Sequence, residues 1–274
     1  MPKQPTITLN DGYATPQLGL GVWQISDADT PAVVRTALAA GYRAFDTARI
    51  YGNERGVGEG VRTGGVARED VFVTSKLWRD DVGYDSALRA VDATMDRLGL
   101  EYLDLYLIHW PAPARGQYAD AWRALVRLRE EGRVRSIGVS NFHIAYLERI
   151  IGESGVTPAV NQVCLHPRFQ QRPLRAFHAG HGIATTAWAP LGEGRMLSEP
   201  AIVAIAARVG RTPAQVILRW HIQNGLIAIP KSSHPGRIAE NFAVFDFDLA
   251  AADMAAIDAL DDPAGRTGPD PANF

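Results

Sequence analysis

Residues 103–141, LDLYLIHWPAPARGQYADAWRALVRLREEGRVRSIGVSN, decide the fold. They open on a β-rich run, LDLYLIH (103–109), pass through the helix-period stretch YADAWRALVRLREEG (118–132), and return to a second β-rich run, VRSIGVSN (134–141). Apolar residues at three- and four-residue steps, flanked by two short apolar runs, are the pattern of parallel strands joined by a crossover helix. The same alternation repeats outward in both directions. Before it stand LGLGV near residue 20, YRAFDTA ending near Asp46 and DVFVTSK ending at Lys76; after it stand AVNQV around Gln162, IATTAWA ending near Trp188 and LIAIPKS ending near Ser232. The helix-period segments TPAVVRTALAA (30–40) and SALRAVDATMDRLG (86–99) lie between strands, several of them closed by glycine as helix C-termini are.

Eight such units, spaced ~25–35 residues apart, predict an α/β chain folded as one (β/α)8 TIM barrel over residues 1–274. No Pro/Gly/Ser-rich linker or composition shift divides it. An N-terminal β-hairpin is expected at TITLNDGYATP (6–16), turning at Asn10-Asp11-Gly12, and a short loop-like tail at DDPAGRTGPDPANF (261–274).

Composition excludes several classes. Lys and Arg number 28 and Asp and Glu 30 in 274 residues, a net charge of −2, which lacks the basic footprint of a nucleic-acid binder. The longest apolar run, Ala201 to Ala207, is far short of the ~20 residues that cross a bilayer, and the opening MPKQPTITLN has no apolar signal core. The single cysteine, Cys164, forms no internal disulfide, in keeping with a reducing compartment. A cytoplasmic protein without membrane or nucleic-acid partners is expected. Of the 28 basic residues only Lys3, Lys76 and Lys231 are lysines, so the two internal ones are candidates for work that needs a compact, tunable point charge.

A barrel of this kind gathers the C-terminal ends of its strands at one mouth, where chemistry is placed. Asp46, Lys76 and His109 end strands 2, 3 and 4, and Lys231 ends strand 8. Asp46 and Tyr51 bracket the loop DTARIYGNE, whose Asn53 and Glu54 can cap the helix that follows. Singly, Asp46 reads as a turn residue, Tyr51 as amphipathic packing and His109 as a core histidine. Together they suggest carbonyl reduction. A phenol is a poor proton donor at its ordinary pKa of ~10, a neighbouring ammonium favours the phenolate, a carboxylate holds that ammonium, and an imidazole N–H polarises a carbonyl oxygen.

With these residues in place the chain resembles the aldo-keto reductases, closest to their bacterial 2,5-diketo-D-gluconate reductase branch. The resemblance runs from LGLGVW to the closing GRTGPDP, through GYRAFDTARIYGNERGVG, VFVTSKLW, LDLYLIHWP, IGVSNF, NQV and IPKSSHPGRIAENF in that order. It implies that Asp46, Tyr51, Lys76 and His109 form the catalytic tetrad and that NADPH/NADP+ is bound without a Rossmann domain. It further implies that Ser140, Asn141 and Gln162 hold the nicotinamide carboxamide, Trp188 stacks on its ring, Leu191 and Gly192 shape the pyrophosphate loop, and Glu240 and Asn241 contact the adenine. A monomer acting on a small-molecule carbonyl substrate is implied as well, such as a diketo sugar acid or a small 2-oxoaldehyde.

The residues themselves agree with a non-Rossmann site. The Gly-x-Gly pairs at Gly19/Gly21, Gly56/Gly58 and Gly192/Gly194 lack the third glycine of a dinucleotide fingerprint and read as turn glycines. Phosphate recognition is expected at a helix opening at Pro235, surrounded by Lys231, Ser232 and Arg237, because exposed N–H groups at a helix start favour anions. His234 stands where some relatives carry a stronger cation, so preference for NADPH falls to Lys231 and Arg237. Trp23, Trp78 and Trp110 each follow a strand end and are expected to line a substrate pocket with Tyr51. The HxxH of His178 and His181 and the pair Cys164/His166 have no third ligand, and no metal is predicted. Two other readings remain open from sequence: a Schiff-base lyase or aldolase using Lys76, and a nicotinamide-binding sensor or auxiliary subunit without turnover.

Overall fold

The structure is a computed structural model and describes residues 4–274; Lys3 lies outside them. The chain opens with strands β1 (Thr6–Thr8) and β2 (Ala14–Pro16), which pair antiparallel through the expected turn. Eight parallel strands follow, β3 (Leu20–Gly21), β4 (Ala44–Asp46), β5 (Phe72–Leu77), β6 (Leu103–Ile108), β7 (Val134–Ser140), β8 (Val160–Cys164), β9 (Ala184–Trp188) and β10 (Ile227–Ala228). Each pairs with the next in sequence order. The ring is completed where the Gly19 and Gly21 N–H groups donate to the carbonyls of Ala228 (2.9 Å) and Pro230 (3.0 Å), and Ala228 N–H to Gln17 (3.0 Å). These bonds join the last strand to the first, making a closed (β/α)8 barrel.

Helices α1 (Thr30–Ala40), α2 (Glu54–Thr63), α3 (Tyr84–Leu98), α4 (Tyr118–Glu130), α5 (Ile144–Ser154) and α6 (Arg172–His181) each occupy one crossover. Their apolar stripes pack on the outer face of the barrel in one continuous core that includes Trp122, Trp220 and Leu103, all fully buried. A second, smaller cluster fills the barrel interior near its floor, where Leu9 of the hairpin meets Phe72, Leu105, Leu107 and Val160. The hairpin is therefore the plug of the barrel's N-terminal end, and this leaves the opposite end open as the mouth.

Two features depart from the sequence pattern. The regular last strand stops at Ala228, because Pro230 has no N–H to extend the ladder, although pairing resumes at a bridge between Gly21 and Lys231. The last crossover also holds two helices, α7 (Pro200–Val209) and α8 (Pro213–Gln223), the second opened by a capping box between Thr212 and Gln215. After β10 come α9 (Pro235–Phe242) and α10 (Ala251–Asp258), then the tail.

The reading of Gly56 and Gly58 as turn glycines is corrected: both lie inside α2. A Cβ on Gly58 would come within 1.7 Å of the Leu98 carbonyl oxygen, and one on Gly56 within 2.4 Å of the Asp27 carbonyl oxygen. These glycines let neighbouring backbone approach, which sets the height of α2 and of the Tyr51 loop leading into it. Gly58→Ala should destabilise the protein by about 1–3 kcal/mol, read as a lower thermal unfolding midpoint by circular dichroism. An unchanged midpoint would show that α2 and α3 separate without cost.

Candidate active site

The mouth residues come from the ends of adjacent strands. Asp46 is the last residue of β4, Lys76 the penultimate residue of β5, and His109 follows β6 directly. Tyr51 closes a short 3-10 turn, Arg49–Tyr51, that leads from β4 toward α2. The turn is anchored by Asn53, whose side-chain amide donates to the carbonyls of Val22 (2.8 Å) and Ile25 (3.0 Å) and accepts from the Thr47 hydroxyl (2.7 Å). Asn53 thus spends its side chain on the barrel rim, and the expectation that this side chain caps α2 is corrected. Glu54 is likewise a tie-point, accepting from Ser75 Oγ (2.5 Å) and Arg97 Nε (2.6 Å).

Lys76 is fully buried. Its Nζ donates to an Asp46 carboxylate oxygen and to the Thr47 carbonyl (2.9 Å), and stands 5.1 Å from the centre of the Tyr51 ring. The second Asp46 oxygen accepts from Gln162 Nε2 (2.7 Å). Burial pushes the Lys76 pKa down, but Asp46 foremost and Tyr51 after it outweigh that, and the net shift is upward. The ammonium stays charged.

Lys76 does lower the Tyr51 pKa, as a neighbouring ammonium should, but it does not set the net direction. Burial raises the Tyr51 pKa by more than the ammonium lowers it, so the net direction is up. The phenol is a fully protonated donor at neutral pH, and the ammonium's influence grows only as charge develops on its oxygen. His109 packs edge-on to Tyr51 (ring centroids 5.8 Å). Burial first, and the Lys76 charge second, hold its pKa well below the usual histidine value, so the imidazole is neutral. Its Nδ1 is buried without a partner among the described residues.

A second tier of polar groups surrounds these. Asn141, in the left-handed region at φ 63°, donates to the His109 carbonyl (3.1 Å) and to Ser140 Oγ (3.0 Å), and accepts from Trp188 Nε1 (2.9 Å). Ser140 donates to the Gln162 carbonyl (2.8 Å). Ser140, Asn141, Gln162 and Trp188 therefore meet beside the four mouth residues. The loop after β9 carries Leu191 and Gly192, with Gly192 at φ 58° and the non-glycine residues Ala189 and Glu193 also at positive φ. Such strain is kept where a loop must hold one shape.

Lys231, Ser232 and Arg237 lie together at the start of α9, some distance along the chain from the mouth residues. No side chain caps that helix start, and neither Lys231 nor Arg237 has a carboxylate within ion-pair distance among the described residues. Free N–H groups beside two unpaired cations fit a phosphate. Asn241 is buried in α9, and the Glu240 carboxylate accepts from Thr212 Oγ1 (2.8 Å), a tie between α9 and α8.

Two of the three tryptophans meet at the mouth. Trp78 and Trp110 flank His109 at centroid distances of 5.4 and 6.3 Å. Trp23 is 51% exposed on the rim and takes no part in that cluster. The sequence reading missed Phe274, whose ring lies 4.2 Å from Trp110 and 6.2 Å from Trp78. The only signal for it was an aromatic residue closing a Pro/Gly-rich tail. Clefts of about 610 and 600 Å³ lie at the opposite end of the barrel, around Arg175 and around Arg135. None of the mouth residues lines them, and volume alone would misplace the site.

This arrangement can be compared with known proteins. The model of the Aldo/keto reductase family matches residues 12–262. The chain belongs to the aldo/keto reductase family. An aldo-keto reductase of Mycolicibacterium smegmatis is 54% identical over 270 residues, covering 98% of both chains. The methylglyoxal reductase DkgA of Yersinia pestis is 50% identical over 276 residues, covering 100% of this chain and 99% of its own. Among solved structures, a Gox0644 mutant in complex with NADPH superposes with a TM-score of 0.96 at 53% identity, covering 99% of this chain and 98% of that one.

In this aldo-keto reductase, among the described residues, no single helix is long and apolar enough to cross a membrane, and no group of His, Cys, Asp or Glu side chains could hold a metal ion. His178, half of the HxxH, is buried between Asn161 Nδ2 (3.0 Å) and Thr185 Oγ1 (2.8 Å). The His109 environment yields a direct test. Its ring should stay neutral from pH 8 down through the ordinary histidine range, so its ¹⁵N resonances should be flat there. A titration centred near 6.5 would contradict the buried, ammonium-flanked geometry.

Proposed function

We propose that this chain transfers hydride from NADPH to an aldehyde or ketone and that Tyr51 supplies the proton that completes the alcohol. The observation that carries the reading is the series Asp46, Lys76, Tyr51, its ion pair buried, set against a neutral His109 at the mouth of the barrel. NADPH, when bound, supplies the hydride. Ser140, Asn141 and Gln162 would hold its carboxamide, Trp188 would lie against its ring, Leu191 and Gly192 would follow the pyrophosphate, Lys231, Ser232 and Arg237 would meet the phosphate of the adenosine, and Glu240 and Asn241 would border the adenine.

The chain's own groups then divide the work. His109, neutral, donates an N–H to the carbonyl oxygen and orients it. Tyr51, a protonated phenol, passes its hydrogen to that oxygen as negative charge builds there. Lys76 stabilises the phenolate left behind, at an atom already within its field, with no reorganisation needed. Asp46 keeps the ammonium in place, and Gln162 keeps the carboxylate in place. Trp78, Trp110 and Phe274 give the carbonyl's substituents an apolar wall that excludes water. A small 2-oxoaldehyde or a diketo sugar acid is the substrate class favoured, the former in keeping with relatives named methylglyoxal reductase. The raised pKa of Lys76 and its bond to Asp46 argue against a free amine nucleophile and hence against Schiff-base chemistry.

Tyr51→Phe should lower kcat by about 10²–10⁴-fold on methylglyoxal while NADPH binding is kept. Wild-type turnover in that variant, followed at the NADPH absorbance band, would remove Tyr51 from the mechanism. For the cofactor, replacing Lys231 and Arg237 together by Ala should weaken NADPH by about 10–100-fold and NADH far less, since each cation can give the extra phosphate a charge-assisted hydrogen bond. Equal losses for both nucleotides in a fluorescence titration would place the phosphate elsewhere.

A further inference from the structure

The closing motif GRTGPDP (265–271) lies beyond the segment the family model matches. The tail that contains it has no helix or strand, yet it follows a defined path over the mouth. Asp262 N–H donates to the Arg168 carbonyl (3.0 Å), and the Arg266 guanidinium stands 4.7 Å from the centre of the Phe169 ring. Thr267 Oγ1 and Cys164 Sγ are 3.3 Å apart at the end of β8. Gly268 then meets Trp188 at the end of β9, Asp270 stands 3.7 Å from His143 Nε2 beyond β7, and Phe274 reaches Trp110 beyond β6. The segment is a strap laid across four strand ends.

Its contact with Trp188 is the tightest. A Cβ at Gly268 would lie 2.5 Å from Cη2 of the indole, and 3.4 and 3.5 Å from Cζ2 and Cζ3. The Gly268 backbone is not in the left-handed region, so conformational freedom does not explain the glycine. Room for the indole does. At the other edge of the same ring, Nε1 donates to Asn141 Oδ1, and Asn141 is bonded in turn to the His109 carbonyl. The indole is held at two opposite edges, by a polar contact on one side and by bare backbone on the other.

We propose that Gly268 is a positioning residue: the strap bears on the outer edge of Trp188 and, with Asn141, sets the plane on which the nicotinamide ring lies. Because the same strap ends in Phe274, it ties the cofactor platform to the aromatic wall that faces the carbonyl substrate. The inference rests on the reading of Trp188 as the nicotinamide platform under Proposed function.

The test is a double-mutant cycle in the full chain with Gly268→Ala, Trp188→Phe and their combination. NADPH is titrated by its fluorescence, and kcat and KM are measured with methylglyoxal. Gly268→Ala should raise the NADPH dissociation constant about tenfold, the ordinary scale of an overpacked contact, and lower kcat while the carbonyl KM changes little. In the Trp188→Phe background, which lacks the Cη2 edge, the same alanine should change the dissociation constant by less than about twofold. A fault of folding or tail order would act in both backgrounds, so equal losses in both, or no loss in either, overturn the role of Gly268 and leave the platform reading standing. If Trp188→Phe alone leaves NADPH affinity and turnover unchanged, the platform reading itself fails, and the inference falls with it.

Discussion

Everything at the mouth depends on one buried ion pair, Lys76 with Asp46. Removing both charges from water is expensive, and a bare pair in the interior rarely repays that cost. Here further partners offset that cost: the ammonium also donates to the Thr47 carbonyl and lies against the Tyr51 ring, and the carboxylate also accepts from Gln162. The pair therefore fixes the Lys76 ammonium as a positive charge beneath Tyr51 and beside His109. Its presence has opposite consequences for those two groups. It draws the phenol toward ionisation, against the stronger effect of burial, and it drives the imidazole toward neutrality, in the same direction as burial.

That combination is what carbonyl reduction requires of a protein. The phenol must hold its proton until the carbonyl oxygen becomes basic, and must then release it easily. A pKa raised in the resting site and a nearby ammonium that stabilises the developing phenolate satisfy both conditions. A tyrosine lowered to neutrality would be partly ionised before the substrate arrived. The net upward shift is thus consistent with a donor and does not weaken the proposed role.

The barrel supplies the rigidity. Strand ends fix Asp46, Lys76 and His109 to within the tolerance of a hydrogen-bonded sheet, and the hairpin plug leaves the opposite end open for chemistry. Around this frame Asn141 joins the His109 backbone to the Trp188 indole, and the tail braces that indole from outside. The mouth residues and the aromatic groups around them are mechanically continuous, from the centre of the barrel to residue 274.

The sequence by itself determined the parallel barrel and the strand-end positions of Asp46, Lys76 and His109, because period and strand order are local properties that closure then brings to one mouth. It also pointed to the start of α9 with Lys231 and Arg237, since a Pro at a helix's first turn and adjacent cations are legible in letters. Only the tertiary structure decided the sign of the Tyr51 shift, which is a balance between desolvation and a charge whose distance no spacing reveals. The same is true of Gly58, whose role is set by the Leu98 carbonyl of a different helix, and of Gly268 and Phe274, which matter through Trp188 and Trp110 far away in the chain. Contacts between residues remote in sequence have no local pattern to betray them, and those contacts are what position this site.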